Sequence, residues 1–350
     1  MLLFGFAALV LVSQQHIWSV RDFAFDLQAQ LAHTLPEGGQ QVVVVSIDEH
    51  DYKSLFNSNS PLDDSTLRLL IERILDGSPA VLGVDIRTED EKFASLRNLN
   101  GMANVVWARA AVGSGQDTVT PGDVLGTGPG KFNSGVAVLP DDSEDSTMRR
   151  YQRRINTSEG VADTFIWAMF KEHQRASAAK AIQNALEDFS LWDIRYTDTP
   201  ARPEQSASEI LAPGFDWKDA IKGKVVLLGG RFDPSDKHKT PYEGEMDGVD
   251  VLANVIETEI NHRTQPSFTW WQLFGLGAIE VPLLMVLFHL RPYRFALMVS
   301  VLLAIVTAPI YFLGLFQFWM YGALIALAVI INESISQFSH RAIKLREKHM

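Results

Sequence analysis

Hydrophobic and polar positions divide the chain into three regimes. Residues 1–20 are apolar apart from the break Ser13-Gln-Gln-His16 and carry no charge. Over residues 21–269, short apolar runs alternate with polar stretches, as in a domain that buries a core and faces water. Residues 270–290 are then apolar except for Glu280 and His289, and residues 295–332 run 38 positions without a charge. A single helix of that last length would reach ~57 Å, well beyond a hydrocarbon core of ~30 Å. Two helices turning near Gly314-Leu-Phe-Gln317 fit better. The pattern predicts one span over 1–20, anchored at the interface by Trp18, and three more near 270–290, 295–313 and 317–337. The first segment lacks a basic leader and an A-x-A-like cleavage site, so a retained helix is favoured over a cleaved signal peptide.

Between the apolar ends, strands and helices alternate. Gln41-Val-Val-Val-Val-Ser-Ile-Asp48 is a β-branched run of the kind found in buried parallel strands. Residues 64–75 follow, with Leu67, Leu70, Ile71, Ile74 and Leu75 at helical spacing, closed by Gly77-Ser-Pro79. A second strand at 80–85 completes a βαβ unit, placing Asp48 and Asp85 at the ends of adjacent parallel strands. A third strand is expected at 104–108. Residues 134–139, an acidic turn at 140–145 and residues 148–155 suggest a hairpin. Helices are expected at 162–173 and 250–261, a helix or insert at 175–190, and a strong late strand at 224–230.

Charge sets the orientation. The whole chain carries −11, yet 39 of the 42 acids and 25 of the 31 bases lie at or before Trp271, a net of −14. Arg291 and Arg294 sit between the second and third spans; Arg341, Lys344, Arg346 and Lys348 follow the fourth. The excess of bases on cytoplasmic loops then places the acidic domain outside and the C-terminus inside. An acidic domain argues against nucleic-acid binding, which needs a basic face. The absence of Cys removes disulfides, thiol catalysis and cysteine metal clusters.

The ordered pieces resemble a known family, the CHASE domain of type two, an extracytoplasmic sensory domain of bacterial receptors. The resemblance rests on Arg21-Asp-Phe-Ala-Phe-Asp26, Val45-Ser-Ile-Asp-Glu49 and Val81-Leu-Gly-Val-Asp-Ile86. It continues through Ser134-Gly-Val-Ala, Pro140-Asp-Asp and Met148-Arg-Arg150, then Gly223-Lys-Val-Val-Leu-Leu-Gly229, Asp236, Thr240-Pro241, Gly248-Val249 and Ala253-Asn254. It implies an α/β domain with a mostly parallel, mixed sheet over 21–269, in the periplasm of a bacterial inner-membrane protein. Three spans after the domain are also the family's arrangement. Two departures are local: residues 87–99 make a shorter segment than usual, and Leu252 stands where a histidine is common. A third concerns output, because only 338–350 follow the spans, so no cyclase, kinase or diguanylate-cyclase activity carries over.

Candidate chemistry is sparse. Open α/β sheets bind ligands at the C-terminal ends of their strands, which singles out Asp48, Glu49 and Asp85. The alternative is that these acids cap the turns and helices that follow. Asp233, Asp236 and His238 follow the Gly229-Gly230 turn and offer further ligand contacts, with solvated loop residues as the alternative. The glycine-rich stretch 113–130 reads as a flexible loop rather than a phosphate cradle, since no helix follows it. The acidic turn lacks calcium-loop spacing, and Arg149, Arg150, Arg153 and Arg154 stand ready to neutralise it. No nucleophile elbow, zinc-protease motif or P-loop appears, so no catalytic residue, metal or cofactor is assigned. Glu280, with Pro282 beside it, is costly inside a bilayer and suggests transmembrane signalling. The sequence thus suggests a sensor for an unknown periplasmic ligand or protein, forming a homo-oligomer and passing its signal to a separate cytoplasmic or membrane effector. The alternatives are a scaffolding subunit of an envelope complex or, less favoured, an anchored periplasmic enzyme.

Overall fold

Six consecutive buried residues, Val42–Ile47, form strand β1. Both faces of such a strand must be covered, and the chain covers them with helices on either side of a parallel sheet. The structure is a computed structural model that describes residues 41–99, 104–112, 119–126, 132–139, 145–176, 189, 191–196, 204–241 and 244–261, together with Asp22 and Asp26. These fall almost wholly in one unit, residues 32–267; the other unit pairs 1–31 with 268–350. The expected spans, the acidic residues 140–144, and Glu280 and Pro282 lie outside the described residues. Among the described residues no helix is long and apolar enough to cross a membrane.

After β1 come helices α1 (Glu49–Ser54) and α2 (Asp64–Asp76), then β2 (Val81–Asp85) and β3 (Val105–Val112), with a 3₁₀ segment at Glu91–Asn98 between the two strands. Strands β4 (Thr120–Pro121) and β5 (Ser134–Ala137) follow. Short strands β6 (Arg150–Gln152), β7 (Arg154–Thr157) and β8 (Gly160–Asp163) lead to α3 (Phe165–Ala176). Then come β9 (Leu191–Asp193), β10 (Glu204–Ser206), α4 (Ala207–Leu211) and α5 (Lys218–Ile221). Strand β11 (Val225–Gly230), a 3₁₀ turn (Pro234–Asp236), β12 (Lys237–Thr240), β13 (Gly244–Asp247) and α6 (Gly248–Ile260) complete the unit.

The main sheet runs β10-β1-β11-β2-β3, with β5 parallel on β3 and only the short β4 antiparallel. The α/β class and mostly parallel mixed sheet match the expectation; the strand neighbours differ. β1 and β2 are not adjacent, because β11 pairs with both. The crossover through α2 leaves a gap one strand wide, which the late strand fills. The expected hairpin between 134–139 and 148–155 is also absent: β5 pairs with β3, β6 with β9, and β7 with β8. The arginines spread accordingly. Arg149 meets Asp145 at 2.8 Å, whereas Arg150 reaches Asp193, Arg153 reaches Glu259 and Arg154 reaches Asp163.

Alternate residues divide the sheet. Val43, Val45 and Ile47 of β1, Leu82 and Val84 of β2, and Val226 and Leu228 of β11 join a core with Leu67, Leu70, Ile71 and Ile74 of α2. On the opposite face α3 lies over β2, β3 and β5, and α6 lies over β1 and β11. Gly83 and Gly135 permit that approach. A Cβ on Gly83 would come 2.3 Å from Met169 Sδ, and one on Gly135 would come 2.6 Å from the α3 backbone at Phe165.

Helix α6 is buried on every side, polar residues included. Such burial is tolerable only where each polar group finds a partner. Asn254 donates to the Asp250 carbonyl (2.9 Å), Thr258 receives the Arg195 N–H (3.0 Å), and Glu257 receives the N–H groups of Gln41 and Val42. Glu259 accepts from Tyr151 (2.5 Å) and, in a two-point contact, from Arg153 at 2.8 and 3.0 Å. The Arg153 guanidinium lies between Trp192 (3.8 Å) and Trp167 (4.5 Å).

Candidate functional site

One row of residues crosses the C-terminal ends of four neighbouring strands. Ser206 of β10 is in register with Ser46 of β1, Ser46 with Gly229 of β11, and Gly229 with Asp85 of β2. Paired residues of parallel strands project to the same side. Here that side is α6's, since a Cβ on Gly229 would touch Val249 of α6 at 2.7 Å and Asp85 Cβ at 3.6 Å. Small and polar residues thus replace the valines and leucines of the layers below, at the sheet edge where open α/β folds place ligands.

Arg231 continues β11 on this side. Its guanidinium donates to Asp250 on α6 (2.7 Å) and to Glu204 on β10, and Glu204 also accepts the Ser46 hydroxyl (3.0 Å). Burial opposes the Arg231 charge, but Asp250, Glu204 and Asp247 outweigh it and raise the pKa above the ordinary arginine value. Its Nε is buried without a hydrogen-bond partner. One cation therefore ties β10, β11 and the first turn of α6 together.

Asp85 stands at the other end of the row. It is half-buried, and no donor among the described residues hydrogen-bonds it. Desolvation, with the Asp236 charge adding to it and His238 opposing, pushes its carboxyl up to about 7. Asp236 ends the 3₁₀ turn, with its Oδ1 3.4 Å from His238 Nε2. Its carboxylate packs on Gly248 at the start of α6, where a Cβ would lie 2.6 Å from Oδ1.

The structure sorts the sequence candidates by what holds them. Asp236 and His238 come together, and their charges act on Asp85 at the end of β2. Asp48 caps α1, accepting the Asp51 N–H at 2.7 Å, and Glu49 is exposed beside Lys53 at 2.6 Å. Asp233 caps the 3₁₀ turn through Ser235, whose two hydrogen bonds hold its carboxyl below the usual carboxylate range. Asp48 and Asp85 are separated by β11. Sequence reasoning missed Arg231, Glu204, Ser46 and Asp250. Arg231 carried a usable signal, as the charged residue directly after Gly229-Gly230 at the end of the most apolar late strand. Glu204 carried none, because Glu204-Gln-Ser206 has no apolar alternation. Among the described residues no three His, Asp or Glu side chains converge as a metal site. What the arrangement can do is hold or release a proton at Asp85 and shift charge against the first turn of α6.

The model of the CHASE2 domain matches residues 2–290, most of the chain. The chain belongs to the CHASE2 family. CHASE2 domains are extracytoplasmic sensory domains, and the segments quoted for the resemblance fall within the match. Those among the described residues fall on β1, β2, β5, the stretch leading into β6, β11, the turn and strand β12, and α6. No curated protein and no solved structure gives a significant match to the chain.

Proposed function

We propose that this CHASE2 protein is a multi-pass inner-membrane sensor that reads a periplasmic input at the Ser46–Gly229–Asp85 edge and passes it along α6. The observation that carries this reading is the course of α6. Its first turn meets Arg231 through Asp250, and its other end holds the start of β1 through Glu257, so one buried helix joins the polar edge to both chain segments that lead out of the domain. A partner effector, engaged by the cytoplasmic tail of a homo-oligomer, receives the signal, and the role is signalling rather than catalysis.

The absence of Cys makes the test direct. In intact cells a membrane-impermeant maleimide is expected to label Ser54→Cys, an exposed α1 position, and to label Ser339→Cys only after permeabilisation. Disulfide cross-linking at Ser339→Cys is then expected to change at least twofold when Asp85→Asn or Arg231→Met is added. Unchanged cross-linking favours a scaffolding role and overturns the sensor reading.

A further inference from the structure

Both ends of the domain's chain leave from one edge of the sheet, opposite the polar row. Val225 N–H donates to the Gln41 carbonyl (3.0 Å) and Ala80 N–H to the Lys224 carbonyl (2.8 Å), so Gln41, Lys224 and Ala80 stand side by side just before β1, β11 and β2. Glu257 near the end of α6 accepts the Gln41 N–H and the Asn261 side chain, which brings the exit of α6 to the same place. Beside it the turn Lys222-Gly223-Lys224 projects outward: Gly223 has φ +69°, and a Cβ there would meet nothing within 4 Å. Backbone bonds fix the turn, from Gly223 N–H to the Ser78 carbonyl and from Lys224 N–H to the Ile221 carbonyl. Its lysines are not needed to hold it. Lys222 is exposed and Lys224 half-buried, and neither forms an ion pair among the described residues. We propose that this turn rests on the anionic lipid headgroups of the bilayer from which the chain emerges, an inference that itself rests on the membrane reading above.

Charge distinguishes the two edges. At the polar edge Lys53 meets Glu49, Arg231 meets Glu204 and Asp250, and Lys237 meets Asp247, which leaves Asp48, Asp85, Asp233 and Asp236 in excess of these bases. At the opposite edge Arg73 in the last turn of α2, Lys218, Lys222 and Lys224 stand against Asp76, Asp216 and Asp219. A negatively charged bilayer surface repels the first edge and attracts the turn, and each lysine within a screening length of ~10 Å adds about fivefold to the contact. Reach agrees with charge. Eight residues, 262–269, separate Asn261 from the apolar segment that begins at Trp270. Extended chain covers at most ~3.5 Å per residue, so Asn261 stays within roughly 30 Å of that segment. Contact at the turn steadies the point where α6 ends and β1 begins. Movement of α6 then acts on the chain entering the bilayer instead of swinging the whole domain.

Full-length protein in nanodiscs of phosphatidylcholine, with and without a large share of phosphatidylglycerol, is followed by hydrogen–deuterium exchange. Exchange over residues 218–224 is expected to be at least about fivefold slower with phosphatidylglycerol. Residues 233–236, at the polar edge, should exchange alike in both lipids. The protection should disappear at ~1 M salt, where screening reaches only ~3 Å, and in the double variant Lys222→Gln/Lys224→Gln. Neither lysine side chain bonds another group among the described residues, so the double variant should unfold at the wild-type temperature. Equal exchange in the two lipids, or protection that survives both salt and the double variant, overturns the headgroup contact. Protection that spreads to 233–236 overturns it too, since it reports a tighter domain rather than a local contact. Ser54→Cys judges the membrane reading separately. Labelling in intact cells keeps that reading whatever the lipid result, and labelling only after permeabilisation removes both.

Discussion

Glu257, near the end of α6, accepts the backbone N–H of Val42 at 3.0 Å and of Gln41 at 3.1 Å. The first residues of β1 and the last turns of α6 are far apart in the chain and share one buried carboxylate. Asn261 donates to the same group at 2.8 Å. Glu257→Gln replaces one acceptor by a donor and leaves a buried N–H without a partner, a cost of about 1–3 kcal/mol. Exchange at residues 41–43 should accelerate and thermal unfolding should come earlier. Unaltered exchange there would show that other contacts hold the start of β1.

Arg153 supplies a second prediction. Its guanidinium is held between two indoles while it meets Glu259 at two points. Lysine cannot reproduce the planar two-point contact, so Arg153→Lys should itself destabilise measurably. Arg153→Ala leaves Glu259 buried beside Tyr151 without its cation, for which about 3–5 kcal/mol is expected. Urea unfolding of the two variants, followed by tryptophan emission, measures both; stability equal to the wild type would mean that the two-point contact does not hold α6 in place.

Gly135 is where the backbone at the start of α3 presses on the sheet. A Cβ there would lie 2.6 Å from Phe165 Cα and 2.6 Å from the Thr164 carbonyl oxygen, both backbone atoms. Neither can swing aside as a side chain would. Gly135→Ala is therefore expected to cost about 1–3 kcal/mol, read as a lower thermal midpoint. A neutral result would show that α3 can lift from β5.

The sign of the Asp85 pH effect is fixed by its raised pKa. The folded domain holds this proton up to about 7, whereas the free carboxyl loses it near 3.8. Asp85 thus contributes stability that is complete below about pH 4 and is lost as the pH climbs through about 7. Unfolding midpoints of the wild type and Asp85→Asn, compared from about pH 5 to about pH 8, should diverge. The wild type declines relative to the variant as the pH rises. Parallel curves would mean that Asp85 titrates alike in both states.

The long periodic elements were legible in the sequence because their burial writes itself into residue choice. Val42–Ile47 is all apolar but for Ser46, and α2 places Leu67, Leu70, Ile71 and Ile74 on one stripe. The neighbour of β1 was not legible, since an all-apolar parallel strand pairs equally well with β2 or β11. Strands of three residues such as β6, β9 and β10 are too short for any period to show. The site divided in the same way. Asp85 could be found because it ends a clear strand, while its relation to Asp236 and Gly248 depends on a turn and a hairpin that fold back over the edge. Arg231 was passed over because its partners, Glu204 and Asp250, come from separate segments.

The central position of β11 has a consequence for biogenesis. Until residues 225–230 have emerged, β1 and β2 each expose an unpaired apolar edge, and neither can close against the other across the gap that α2 spans. The sheet can be completed only when nearly all of the domain is available, and its most distant contacts come last. A chain truncated before residue 225 would carry two open strand edges, which invite pairing with other chains.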